Sequence, residues 1–308
     1  MRLAIALAGG AAAGAALFVR ERSRRAELQH PPRGRFVTAG GVRLHYVDTG
    51  FGPSLVFIHG LGSTLDDFAK SGVLDQGSRD YRVIAFDRPG YGYSERPGRV
   101  PWTPLAQARL LREALHELGA GRPLLVGHSW GCLVALAYAL EYPQETRGVV
   151  LASGLYYPTL RLDAPLLIPP AIPVIGTLLR HSLSPLIGRA LWPMWLKILF
   201  APMPVPGDFV PAWLALRPGQ LRAVGEEAAM TLPWTARWRR RYSQIAVPTA
   251  IVAGTADRYV FSARHSQRLH GEISHSMFLP VPGAGHMVHH AAPEALIRAA
   301  RMLQDAPA

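Results

Sequence analysis

Ser129 stands between Gly127 and Gly131, just after the apolar run Leu124-Leu125-Val126. A serine hydroxyl becomes a useful nucleophile when three conditions meet: it projects from the backbone, a base stands beside it, and donors face the oxyanion it creates. A sharp turn from strand to helix meets the first, and it strains the backbone at the serine. The residues two before and two after must then be small, and here both are glycine. A helix beginning just after the serine also aims free amides and its positive dipole end at the same point. The pattern G-x-S-x-G is common by chance. Context distinguishes it in this chain, because an apolar strand precedes it and an apolar helical run to Tyr142 follows.

The elements that must position such a serine are legible. Residues 36–38 and 42–47 alternate around Gly40-Gly41, which predicts a hairpin. Residues 54–58, 81–86, 124–126, 148–152, 249–253 and 277–281 read as short strands. Helical spacing runs over 105–118, 130–142 and 293–303. Strands alternating with helices predict an α/β fold with a mostly parallel central sheet flanked by helices. Between 155 and 242 that rhythm stops. This stretch is rich in proline and tryptophan, lacks clean strands and carries short helical pieces, the composition of a lid or cap inserted into the fold. The core is thus expected from 36–154 and 243–308, with the insertion at 155–242.

Four segments resemble the α/β-hydrolase fold superfamily, in its serine esterase and lipase-like group. They are FIHGLGS (57–63), FDRPGYGYS (86–94), VGHSWG (126–131), and the pair GTADRYV (254–260) and GAGHMV (283–288). They fall in the family's order, and the resemblance covers residues 36 to 303. It implies a catalytic triad of Ser129, Asp257 and His286. Asp257 and His286 each follow a predicted strand, at the sheet edge where the serine turn also lies. His286 would take the serine proton and return it to the leaving group, while Asp257 would hold the imidazole tautomer and stabilise its cation. The resemblance also implies an oxyanion hole made by the backbone amides of Leu61 and Trp130. Asp87 is read as part of a structural turn, His59 as a hydrogen-bonded turn residue, and His128 as a packing residue. Asp163 falls in the insertion, and His289 and His290 are read as exposed or half-buried residues at a helix start.

Dehalogenases and epoxide hydrolases of this fold use an aspartate as nucleophile, so Ser129 disfavours both. The implied reaction is attack on a carbonyl, formation of an acyl-enzyme, then release by water, with a lipophilic carboxylic ester as substrate. The apolar insertion suits an apolar acyl or aryl group. Hydrolysis of a C–C bond and acyl transfer are alternatives on the same fold. A non-catalytic binding module is an alternative of another class, disfavoured by an intact triad. HGLG in place of HGGG gives no support to bulky tertiary esters.

Composition bounds the partners. The net charge of +12 first suggests nucleic acid or a membrane, but of 33 basic residues only Lys70 and Lys197 are lysines. Arginine has replaced lysine throughout, no nucleic-acid motif accompanies it, and no nucleic-acid partner is expected. A dense cluster, at 20–25, follows an uncharged run over 3–19 at the short limit for a spanning helix. The positive-inside rule then predicts a single-pass N-terminal anchor over 1–19, a basic linker over 20–35 and a catalytic body on the cytoplasmic side. A cleaved signal with its site near Ala11-Ala12-Ala13, followed by export, is the alternative. Cys132 is the single cysteine, which excludes a disulfide within the chain and a thiolate zinc site. The histidines are not paired with carboxylates at ligand spacing on one element, and no phosphate-binding glycine pattern follows the early strands. Neither metal nor cofactor is expected.

Overall fold

Eight short strands pair in the order β1-β2-β4-β3-β5-β6-β7-β8. They are β1 (Arg35–Ala39), β2 (Val42–Thr49), β3 (Ser54–Ile58), β4 (Arg82–Phe86), β5 (Leu124–His128), β6 (Gly148–Ala152), β7 (Thr249–Gly254) and β8 (Met277–Val281). The first two are antiparallel additions, and every pairing from β4 through β8 is parallel. The computed structural model describes residues 2–98, 100–207 and 209–305, with side chains at the amino terminus from residue 9 onward. The side chains of the first part of the expected anchor, and the last three residues of the expected core, lie outside the described residues.

Both faces of the sheet are covered, and the strand period decides what each face meets. Leu55 and Phe57 of β3 pack in one core layer with Phe68, Leu74 and Leu296, whereas Val56 and Ile58 pack in the other with Leu111, Leu133 and Leu136. Burying one such side chain contributes about 1.5–3 kcal/mol. The covering helices are α2 (Leu65–Ser71), α3 (Val73–Gly77), α4 (Pro104–Glu117), α5 (Gly131–Glu141), α11 (Ser266–Glu272), α12 (Val288–Ala291) and α13 (Pro293–Gln304), while α1 (Arg2–Gln29) precedes the sheet. Helix α4 starts where Thr103 Oγ1 accepts the Ala106 amide at 3.1 Å and Pro104 occupies the first turn.

Between β6 and β7 the chain leaves the sheet and forms α6 (Ala164–Leu167), α7 (Ile175–His181), α8 (Leu183–Phe200), α9 (Ala212–Ala215) and α10 (Pro218–Trp238). The expected short helical pieces include two long ones, α8 with 18 residues and α10 with 21. Pro193 and Pro233 lie inside them and break the sequence signal. Buried Leu196, Phe200, Leu221 and Trp238 hold these helices in place, so packing outweighs the hydrogen bond that each proline forfeits.

The amino terminus departs from its reading. No helix among the described residues is long and apolar enough to cross a membrane, so the single-pass anchor is not supported. Eight alanines and three glycines fill the run over 3–19, and such residues contribute little on transfer to hydrocarbon. Helix α1 continues through Gln29, across much of the expected linker, aided by the Glu21–Arg25 pair. Its Val19 and Ala26 are buried, Phe18 meets Trp213 edge-on at 5.8 Å, and Glu27 bonds Arg217 at 2.9 Å. It therefore packs on the inserted helices.

Candidate active site

The turn between β5 and α5 places Ser129 at φ +52°, in the left-handed region that a side chain rarely enters. Its amide donates to the Ala152 carbonyl at 2.8 Å, which fixes the turn to β6. The two glycines are steric requirements. A Cβ on Gly131 would stand 2.2 Å from the Ile58 oxygen, and one on Gly127 would stand 2.7 Å from the Cys132 Cα. Cys132 is buried in the first turn of α5, and its thiol donates to the Gly127 carbonyl at 3.1 Å.

The carboxyl ends of the parallel strands bring the other two residues to this turn. Ile58 pairs with Gly127, His128 with Ala152, and Gly254 with Val281, so the loops after β3, β5, β7 and β8 share one edge. His286 Nε2 lies 3.0 Å from Ser129 Oγ, and its Nδ1 lies 2.9 Å from Asp257 Oδ2. The other Asp257 oxygen accepts the amides of Tyr259 and Val260 at 2.9 and 2.8 Å. An ionised carboxylate only accepts, so the proton sits on Nδ1 and the Nε2 lone pair faces the serine. All three side chains are buried.

Leu61 and Trp130 line one cavity with Ser129, and among the described residues neither backbone amide donates to a protein acceptor. A Cβ on Gly60 would stand 3.1 Å from the Ser129 Cβ, so this loop packs directly against the serine. It is held from behind. His59 Nε2 accepts the Arg88 amide at 2.9 Å, and the Arg88 guanidinium donates to the carbonyls of His59 and Gly60 at 2.8 and 2.9 Å. Burial, with the Arg88 charge beside it, pushes His59 down to about 3, so the ring is neutral and serves as a turn residue.

The partner behind Arg88 is not legible in the sequence. Glu227 on α10 is fully buried and takes Arg88 at 2.7 Å, Tyr91 at 2.7 Å and Gln107 at 2.8 Å. Trp130 adds a second tie, its Nε1 donating to Thr231 Oγ1 on the same helix at 3.0 Å. No periodicity or motif could have paired residues 139 positions apart.

The remaining candidates separate. Asp87 accepts from His45 at 2.7 Å and from the Leu65 and Tyr93 amides, and makes no bond to His286, whose Nδ1 pairs with Asp257. Asp163 pairs with Arg161 and accepts from Tyr259 Oη at 2.9 Å, while the Tyr259 ring packs edge-on against His286 at 4.9 Å. His128 packs as expected and also donates from Nε2 to the His286 carbonyl at 3.1 Å; burial, with His289 and His286 nearby, holds it well below its ordinary pKa. His289 corrects its reading, since it is 0 % exposed. It stands in the first turn of α12 with its ring against Phe68 and His128 at 5.2 and 4.3 Å, a packing that sequence spacing alone does not show.

A cavity of about 150 Å³ opens onto Ser129. Leu61, Trp130 and His286 form its floor, and Leu167, Ile187, Leu191, Trp192, Trp195, Leu196 and Leu199 of the inserted segment line much of the rest. Arg161 is its one arginine, already neutralised by Asp163. Asp67, His289 and His290 are the one group of metal-type donors among the described residues.

Comparison with known proteins agrees with this architecture. An uncharacterized protein of Mycobacterium tuberculosis is 27% identical over 297 residues, spanning 89% of this chain and 82% of that one. The 2-hydroxy-6-oxo-2,4-heptadienoate hydrolase of Pseudomonas putida is 35% identical over 123 residues, 40% of this chain and 45% of the relative. Among solved structures, a membrane phospholipase A described as a bacterial virulence factor superposes with a TM-score of 0.65 at 21% identity, over 99% of this chain and 97% of that one. The model of the alpha/beta hydrolase family matches residues 55–299. With that match over the parallel strands β3 to β8 and their strand-end loops, the chain belongs to the alpha/beta hydrolase family.

Proposed function

We propose that this hydrolase is a serine enzyme that cleaves lipophilic carboxylic esters through Ser129, His286 and Asp257. The observation that carries the reading is the unbroken line from Asp257 through His286 to Ser129, at 2.9 and 3.0 Å, with the serine raised at positive φ. Ser129 Oγ attacks the ester carbonyl while its proton passes to His286 Nε2. The oxyanion is met by the Leu61 and Trp130 amides. His286 returns the proton to the leaving alcohol, and a water activated by the same nitrogen then releases the acid from the acyl-enzyme. Asp257 keeps the imidazole in the tautomer that can accept. The inserted helices act as a lid over the acyl group, whose apolar surroundings favour an uncharged chain or ring over a charged one.

A fluorophosphonate probe tests the nucleophile. Labelling that vanishes in Ser129→Ala supports the reading, and an unlabelled, folded wild type sinks it. A series of p-nitrophenyl esters of rising chain length then ranks the acyl group. Hydrolysis of a C–C bond is the second reading, favoured by the similarity to the Pseudomonas putida hydrolase. A vinylogous diketone substrate turned over faster than every ester would put it first.

A further inference from the structure

Behind the proposed catalytic histidine lies a second cluster that the ester chemistry does not use. Asp67 on α2 is fully buried, and its Oδ2 accepts the Ser63 hydroxyl at 2.8 Å. Its Oδ1 stands 2.7 Å from His290 Nε2 and 3.2 Å from His289 Nε2. The second contact is out of line for a hydrogen bond. Beyond that off-line contact, neither ring nitrogen of His289 makes a hydrogen bond among the described residues, although the side chain is 0 % exposed. A buried imidazole with no aligned hydrogen bond, its Nε2 beside a buried carboxylate, requires an explanation, and an ion is one of the few that fit.

The donor set fits an ion well. One carboxylate oxygen and two imidazole nitrogens converge within 4.8 Å, the donor chemistry of zinc and its neighbours. Donors about 2.1 Å from one ion stand roughly 3.0–3.4 Å apart, so the present 2.7 and 3.2 Å need only open slightly. Ser63 already orients the carboxylate from outside, and Phe68 and Phe200 pack on the two rings at 5.2 and 5.0 Å, giving the apolar shell usual around such sites. Ser63 and Asp67 also border the cavity, which provides an entry path.

We infer that Asp67, His289 and His290 form a binding site for one divalent transition ion of the zinc class, joining α2 to α12 beside the proposed catalytic histidine. Coordination uses the lone pair of each Nε2, so in the bound state each ring carries its single proton on Nδ1. The inference is independent of the ester reading, because none of the three residues takes part in it.

The test uses the full chain, stripped with a chelator and desalted, then titrated with Co2+ as a spectroscopic probe and with Zn2+ in a calorimeter. One ion per chain is expected, with a visible Co2+ band that Zn2+ abolishes. Zn2+ at a hundredfold excess over its Kd should raise the Tm by about 5 °C. His289→Gln and Asp67→Asn should each weaken binding by roughly tenfold or more, while His286→Gln leaves it unchanged. Absence of a band and of heat at millimolar ion overturns the site. So does binding that survives His289→Gln but is lost in His286→Gln, because the ion then sits on Ser129 and its partners. Should the cluster variants fail to fold, Co2+ binding in His286→Gln decides alone: present, it supports the site, and absent, it overturns it.

Discussion

His286 Nε2 faces Ser129 Oγ at 3.0 Å across 157 residues of chain, and its Nδ1 holds Asp257 on the other side. If these three act as one unit, Ser129→Ala and His286→Ala should each reduce kcat by about 10⁴-fold or more, and combining them should add little. Asp257→Asn leaves the shape but favours the wrong tautomer, with a loss of about 10⁴-fold. Steady-state kinetics with unchanged circular dichroism checks all three. An active, folded His286→Ala would remove the base assignment.

Gly131 faces the Ile58 carbonyl so closely that an added Cβ would lie 2.2 Å away. Gly131→Ala should therefore move the serine turn, lower stability by roughly 3 kcal/mol and abolish turnover. Gly121→Ala is the control: nothing lies within 4 Å of its Cβ position, and stability should change by less than about 0.5 kcal/mol. Urea denaturation of the two variants measures the difference.

Glu227 ties the inserted helix α10 to the loop that carries Leu61, because Arg88 bonds the acid and the carbonyls of His59 and Gly60 together. Glu227→Ala leaves a buried guanidinium without its acid, at a cost of about 3–5 kcal/mol and a Tm lower by roughly 10 °C. Because the loop also presents a proposed oxyanion donor, kcat should fall more than KM rises. A variant with wild-type Tm would contradict this account of the network.

His265 sets a pH dependence. Its Nδ1 accepts the Tyr156 and Tyr157 amides at 3.1 and 3.3 Å, which only the neutral ring can do. Burial pushes it down to about 4 from the ordinary 6.5. Between those values the unfolded chain binds the extra proton, so stability rises with pH. The contribution is full above about pH 6.5 and disappears as pH falls towards 4, worth roughly 3 kcal/mol at most. His265→Gln should flatten that part of the profile, as measured by denaturant titration at a series of pH values. An unchanged slope would assign the acid sensitivity to other groups.

Much of this was visible before any coordinates. Apolar runs of strand length, separated by helical periodicity, mark both the sheet and its covering helices, because burial on two faces leaves little choice of residue. Gly127, Ser129 and Gly131 sit in a local turn whose sterics are complete within a few residues, so their roles are readable from spacing. The two long inserted helices were less legible, since Pro193 and Pro233 break a pattern that packing restores. The amino terminus was misread because charge and length resemble an anchor, whereas alanine and glycine make α1 a helix that packs on protein.

By itself the sequence determined the strand–helix alternation, the strained serine turn and the family's motifs, all of which rest on neighbouring residues. Tertiary structure decided what depends on distant ones. It set Glu227 behind Arg88, turned His289 inward, and brought Asp67 to His290 across 223 residues. The physical reason is range: backbone sterics and periodicity act within a few residues, but a buried charge finds its partner only when the sheet has closed and its helices have docked.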